Sequence, residues 1–180
     1  MEQLQNALNI DPSFAQARIL VALIHMKKNR VDDAISEMRK VLETDETNAI
    51  AHNILGSAFM AKGLYTNGLE ELNRAIENDP QLIGAYIKKG IFELNRGRLK
   101  EAETELKTAV RVNPDLLYSR VLLASSYIRQ NEYRKALQIL QESLKGQKSD
   151  AVFYNLIAEV MLRQNKFADG MKYLQKAKAA

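Results

Sequence analysis

The chain contains no cysteine and no tryptophan, and only three prolines among its 180 residues. Without cysteine there is no disulfide framework, no thiolate metal site and no thiol nucleophile. Long hydrophobic runs are missing too. The longest, ILVALIHM at 19–26, falls far short of the roughly 18 to 20 residues that cross a bilayer as a helix. The opening MEQLQNALNI is polar and carries an acid where a secretory leader would carry Lys or Arg. No phosphate-cradling glycine loop and no nucleophile elbow occur, and no acid, base and nucleophile converge recognisably, so no enzymatic activity and no cofactor is expected. His25 and His52 are the only histidines. A zinc site wants three or four ligands, so both are read as packing residues and no metal is expected.

The balance of 46% apolar and 27% charged residues is that of a globular protein rather than a disordered one. The net charge of +4 hides an asymmetry, because residues 1–90 carry 10 basic and 12 acidic side chains while residues 91–180 carry 16 and 10. An acidic partner would be steered to the second half. Nucleic acid is not expected, since a dedicated binder would show a stronger basic excess interleaved with aromatics. Bases near the ends of the first helices, such as Lys62, Arg96, Arg129 and Arg163, are explained by the negative end of the helix dipole.

What the chain does have is a period. The phrase NDPQL returns as VNPDL with Asp79 and Asn113 34 residues apart, and the same step backwards reaches Asp45 and then Asp11 with Pro12. Blocks beginning at Ala15, Ala49, Ile83, Leu117 and Ala151 each open with about fourteen helix-patterned residues. Each then breaks at Asn29, Gly63, Gly97, Asn131 or Asn165 and resumes a second apolar period. Gly and Asn tolerate the left-handed conformation that closes a helix, so each block is read as two helices joined by a tight turn.

Small residues recur at two offsets, Ala22, Gly56, Gly90, Ala124 and Ala158 on the first helix and Ala34, Gly68, Ala102, Ala136 and Gly170 on the second. Helices approach closely only where contact residues lack bulk, so these mark the crossing point. Val31, Tyr65, Leu99, Tyr133 and Phe167, just after the turn, and Met38, Leu72, Leu106, Leu140 and Leu174, two turns later, are expected to fill the core around it.

This pattern resembles the tetratricopeptide repeat over essentially the whole chain. The resemblance implies an all-α, right-handed superhelical solenoid of antiparallel helix-turn-helix hairpins, with repeats at 15–48, 49–82, 83–116, 117–150 and 151–180. Residues 1–10, where Leu4, Ala7 and Leu8 take the offsets of Met38, Val41 and Leu42, read as the end of a preceding repeat's second helix. The chain is therefore expected to be a piece of a longer array, in the style of long bacterial ones. Departures from the pattern are Glu46 and Lys148 in place of the proline and Arg18, His52 and Arg120 in place of an early aromatic.

By the same resemblance, the first helices line a concave groove that binds protein. Its residues would be Ile19, Leu20, Leu23 and Met26, then Ile50, Asn53, Ile54, Ser57 and Met60, then Ile87, Lys88, Ile91 and Leu94. Tyr118, Val121, Leu122, Ser125 and Ile128 follow, with Asn155 and Glu159 in the last repeat. Such an oily groove suits a helical or extended apolar protein segment. The carboxylate-holding clamp of the family's chaperone-binding members is absent, since Ile19, Leu23, Ile54 and Gly84 fill four of its five positions. Lys89 and Glu93 are anomalies at offsets that are apolar elsewhere. Being four apart on a helix they could pair, with Arg120 joining them as a polar cluster. Two further readings stand beside the groove: end-on self-assembly through terminal helix faces, and an adaptor array attached to a catalytic domain outside this chain.

Overall fold

The computed structural model describes residues 2–180, and among these the fold is all-α, with eleven α-helices, one short 3₁₀ turn and no strand. It is the architecture of a helical solenoid, built from antiparallel hairpins. Two compact units are distinguished, residues 1–88 and 89–180.

The first unit holds α1 (Glu2–Ile10), α2 (Ala15–Lys27), α3 (Val31–Thr44), α4 (Ala49–Ala61), α5 (Tyr65–Asn78) and the first half of α6 (Ile83–Asn95). The second holds the rest of α6, then α7 (Leu99–Val112), α8 (Leu117–Arg129), α9 (Tyr133–Gln141), α10 (Ala151–Arg163) and α11 (Phe167–Ala179). Each hairpin turn passes through one residue of positive φ: Asn29, Gly63, Gly97, Asn131 and Asn165, between 57° and 76°. Only Gly and, less freely, Asn accept that conformation, which is why the turn residue is the most constant feature of the repeat.

The core of each unit lies between paired helices. Met38, Leu72, Leu106 and Leu140 are fully withdrawn from solvent at the same offset in four hairpins. At the α4–α5 crossing the two backbones approach closely. A Cβ on Gly56 would stand 2.9 Å from the Gly68 carbonyl oxygen, and a Cβ on Gly68 would stand 3.0 Å from that of Gly56. Of the residues just after the turn, Val31, Leu99 and Tyr133 are half-buried, but Tyr65 and Phe167 are exposed. These two contribute less to the core than their size suggests.

The recurring Asp or Asn between hairpins acts through its side chain. Asp11 Oδ1 accepts from the Ser13 amide at 2.9 Å, Asp45 Oδ1 from Thr47 at 3.1 Å, Asp79 Oδ1 from Gln81 at 2.9 Å and Asn113 Oδ1 from Asp115 at 3.0 Å. Each closes an Asx turn that needs no proline, so Glu46 in the proline position is tolerated. Gln147, one methylene longer, stands at the fifth such position, and here the chain takes another course. Helix α9 stops at Gln141, Gly146 adopts a φ of 72°, and the buried Asp150 accepts through Oδ2 from the amides of Lys145, Gly146 and Gln147.

A second register ties first to second helices. In the first four hairpins the fourth residue of the first helix reaches the carbonyl six residues back: Arg18 to Pro12 at 2.8 Å, His52 to Glu46 at 2.9 Å, Tyr86 to Pro80 at 3.3 Å, and Arg120 to Pro114. The same side chains turn toward the second helix. Arg18 meets Glu37 at 2.6 Å and His52 meets Glu71 at 2.6 Å, both at a spacing of nineteen residues. Arg18, His52 and Arg120, which replace the early aromatic, are thus tether points.

Candidate functional site

In the first unit, the first helices of the hairpins expose large aliphatic residues. On α2, Leu20 and Leu23 lie three apart on one face and are 49% and 47% exposed, and on α4 Ile50 is 48% exposed. Ile19 and Met26 are half-buried and pack on the core cluster that holds Ala22, Ile35, Met38 and Ile54. Asn53 and Ser57 follow Ile50 at helical spacing and are half-buried, as are Ile87, Lys88 and Ile91 on α6 and Met60 on α4. In the second unit Tyr118 and Asn155 are exposed, and Val121, Leu122, Ser125 and Glu159 are half-buried.

Three residues expected on this face sit deeper than docking requires. Ile54, Leu94 and Ile128 are each below 9% exposed and belong to the core clusters of their units. A helix packed on both a hairpin partner and the next hairpin leaves a narrower stripe in solvent than five offsets imply.

Polar groups on the face differ in how far they are already satisfied. Ser57 Oγ donates to the Asn53 carbonyl at 2.9 Å and Ser125 Oγ to that of Val121 at 2.8 Å, so both hydroxyls are spent within their own helices. Glu159 is held by Arg163 at 2.8 Å. Lys88 is different. Its Nζ donates to Asn53 Oδ1 at 2.6 Å and approaches the Asn53 carbonyl at 3.4 Å, yet burial pushes its ammonium down to a pKa of about 8 and no carboxylate offsets that. Gly84, one turn earlier, has no side chain, and a Cβ there would stand in ordinary contact with Asn53, 3.5 Å from its Nδ2.

The three members of the expected polar cluster are held by different partners. Lys89 Nζ lies 2.6 Å from Glu105 of α7 rather than pairing with Glu93. Glu93 lies 3.3 Å from Arg98 Nε, without hydrogen-bond alignment at that oxygen. Arg120 donates to Pro114 and, at 3.0 Å, to Ser143 Oγ. Glu105 explains the anomaly, because it occupies the offset of Glu37 and Glu71. Where those acids meet Arg18 and His52, the third hairpin offers Tyr86, which carries no positive charge, and Lys89 supplies it instead. Sequence reasoning passed over these ties, although the nineteen-residue spacing of Arg18 and Glu37, and again of His52 and Glu71, was there to be read.

A family model described as tetratricopeptide repeat matches residues 20–83. A second, described as anaphase-promoting complex, cyclosome, subunit 3, and of the same repeat type, matches residues 95–177. The chain belongs to the tetratricopeptide repeat family. No curated protein matches it. Solved tetratricopeptide repeat structures do, among them MamA 41-end from Desulfovibrio magneticus RS-1, with a TM-score of 0.77 at 14% identity, over 92% of this chain and 93% of that one. PilF of Pseudomonas aeruginosa gives 0.77 at 19% identity, covering 91% and 76%. YrrB, described as a TPR protein with an unusual peptide-binding site, gives 0.74 at 17% identity, covering 97% and 90%. At these identities the likeness is one of fold. Tetratricopeptide repeats are generally non-catalytic modules for protein–protein interaction, and their partners are proteins or peptides. Among the described residues no helix is long and apolar enough to cross a membrane.

Proposed function

We propose that the chain is a non-catalytic scaffold whose first-helix faces bind an apolar protein segment, helical or extended. The observation that carries this is the exposure of Leu20, Leu23 and Ile50 together, three large aliphatic side chains on two successive first helices. Within the first unit they share the face with the half-buried Ile19, Asn53, Ser57 and Ile87. The test compares the chain with a Leu23→Glu/Ile50→Glu variant of unchanged helicity in capture from a cell extract, with binders identified by mass spectrometry. Both positions are solvent-facing, so the fold survives the change, whereas Ile54→Glu would put a charge into the core. Binders kept by the parent and lost by the variant support the reading. The same binders on both would refute it.

A second reading is self-association through α11, favoured by the exposure of Phe167, Met171 and Leu174. Sedimentation velocity decides it. A Met171→Glu/Leu174→Glu variant should sediment as a smaller species than the parent at equal concentration, and identical behaviour as monomers removes self-association.

A further inference from the structure

Lys88 is a half-buried cation that no acid among the described residues matches. An ammonium has three N–H groups, and its contacts are two oxygens of one residue, Asn53. Its neighbour in sequence shows what matching looks like, since Lys89 lies 2.6 Å from Glu105. Burying an uncompensated charge is unfavourable, and a half-buried cation on a protein-binding face finds its compensation in what binds there. A second donor stands beside it. Asn53 turns Oδ1 to Lys88, and its Nδ2 takes no part in the hydrogen bonds among the described residues; Gly84, having no side chain, leaves room for one atom in ordinary contact with that nitrogen. An ammonium and an amide N–H at one spot form a two-donor seat for a carboxylate.

The depth of Lys88 selects the kind of carboxylate. A terminal carboxylate sits on the backbone and would have to carry the main chain into the face. An Asp or Glu side chain brings its own stem of one or two methylenes and lets the backbone stay outside.

We propose, building on the scaffold reading above, that the first unit takes an apolar protein segment bearing one acidic side chain, whose carboxylate seats on Lys88 Nζ and Asn53 Nδ2 while apolar neighbours cover Leu20, Leu23 and Ile50. The specificity of the face resides in this one polar contact within an oily surround.

The test is selection of random displayed peptides against the whole chain, followed by binding measurements on synthetic copies with amidated C-termini. The expected selection is rich in apolar residues with a single Asp or Glu. Replacing that acid by its amide should weaken binding to the parent by tenfold or more. The acid-bearing peptide should lose comparable affinity on Lys88→Met and on Asn53→Asp, which keeps the lysine, supplies it with an internal acid and guards against simple misfolding of the first variant. Apolar peptides that need Leu23 and Ile50 but carry no acid, or bind equally well as the amide, overturn this inference alone. So does loss of binding on C-terminal amidation. If no peptide is selected, or those selected bind Leu23→Glu/Ile50→Glu as tightly as the parent, the face is not the site and both readings fall.

Discussion

Lys88 should cost the free protein stability, in a way that pH exposes. Its folded pKa, about 8, lies below the ordinary lysine value of 10.5, so between those values the unfolded chain binds the extra proton. Stability from this group therefore rises with pH across that window and is lowest below it. Lys88→Met should raise the thermal midpoint at pH 7 by roughly 2–4 °C, the shift that about 1 kcal/mol makes in a chain of this size. The gain should shrink by pH 9.5, and melts at the two pH values check it. Glu37 shares this direction with pH but contributes stability rather than a cost. Burial pushes its carboxyl up, but hydrogen bonds from Lys40 and Arg18 outweigh that and hold it below the ordinary range. Its contribution is present above the unfolded carboxylate value and is lost as pH falls through the folded one. Arg18→Ala, which leaves this half-buried acid with Lys40 alone, should cost about 1–3 kcal/mol in urea denaturation at pH 7, and less at pH 3.

At the scale of the hairpin, two glycines on first helices should respond with opposite sign. Gly56→Ala forces a Cβ against the Gly68 carbonyl and Leu72 and should destabilise by about 1–3 kcal/mol. Gly84→Ala meets only ordinary contacts and should be neutral or stabilising by up to about 1 kcal/mol through helix propensity. Denaturant midpoints of the two variants, compared side by side, check both. Hairpins were legible in the sequence because turn residues, small crossing residues and buried leucines each answer to one local requirement that repeats. What escaped was set by partners farther off. Tyr65 and Phe167 read as core by size but stand exposed, and the early end of α9 follows from Asp150 capturing three amides, a contact no periodicity announces. On the candidate site, the offsets found the exposed Leu20, Leu23 and Ile50, but they also gathered Ile54, Leu94 and Ile128, because an offset records the face of a helix and not the number of neighbours packed on it.

For the chain as a whole, the arrangement of cores implies graded rather than single-step loss. Ala124 and Leu140 share a cluster with Phe153 and Ile157 of α10, so a chain ending at 150 uncovers that cluster while leaving Met38 and Leu72 in theirs. Its midpoint should fall while its helical signal per residue stays near that of the parent, as expected for quasi-one-dimensional repeats, and circular dichroism melts check it. The tether between the fourth residue of a first helix and the second helix carries a consequence of another sort. Arg18 with Glu37, His52 with Glu71, Lys89 standing in for Tyr86 opposite Glu105, and Tyr154 beside Tyr173 with ring centres 6.3 Å apart are alternative solutions to one problem. Glu37 and Glu71 have second partners in Lys40 and Arg74 on their own helices, but the link between the two helices of the hairpin is lost when either of its ends is changed. A repeat transplanted into another array therefore keeps its tether only if both ends travel with it.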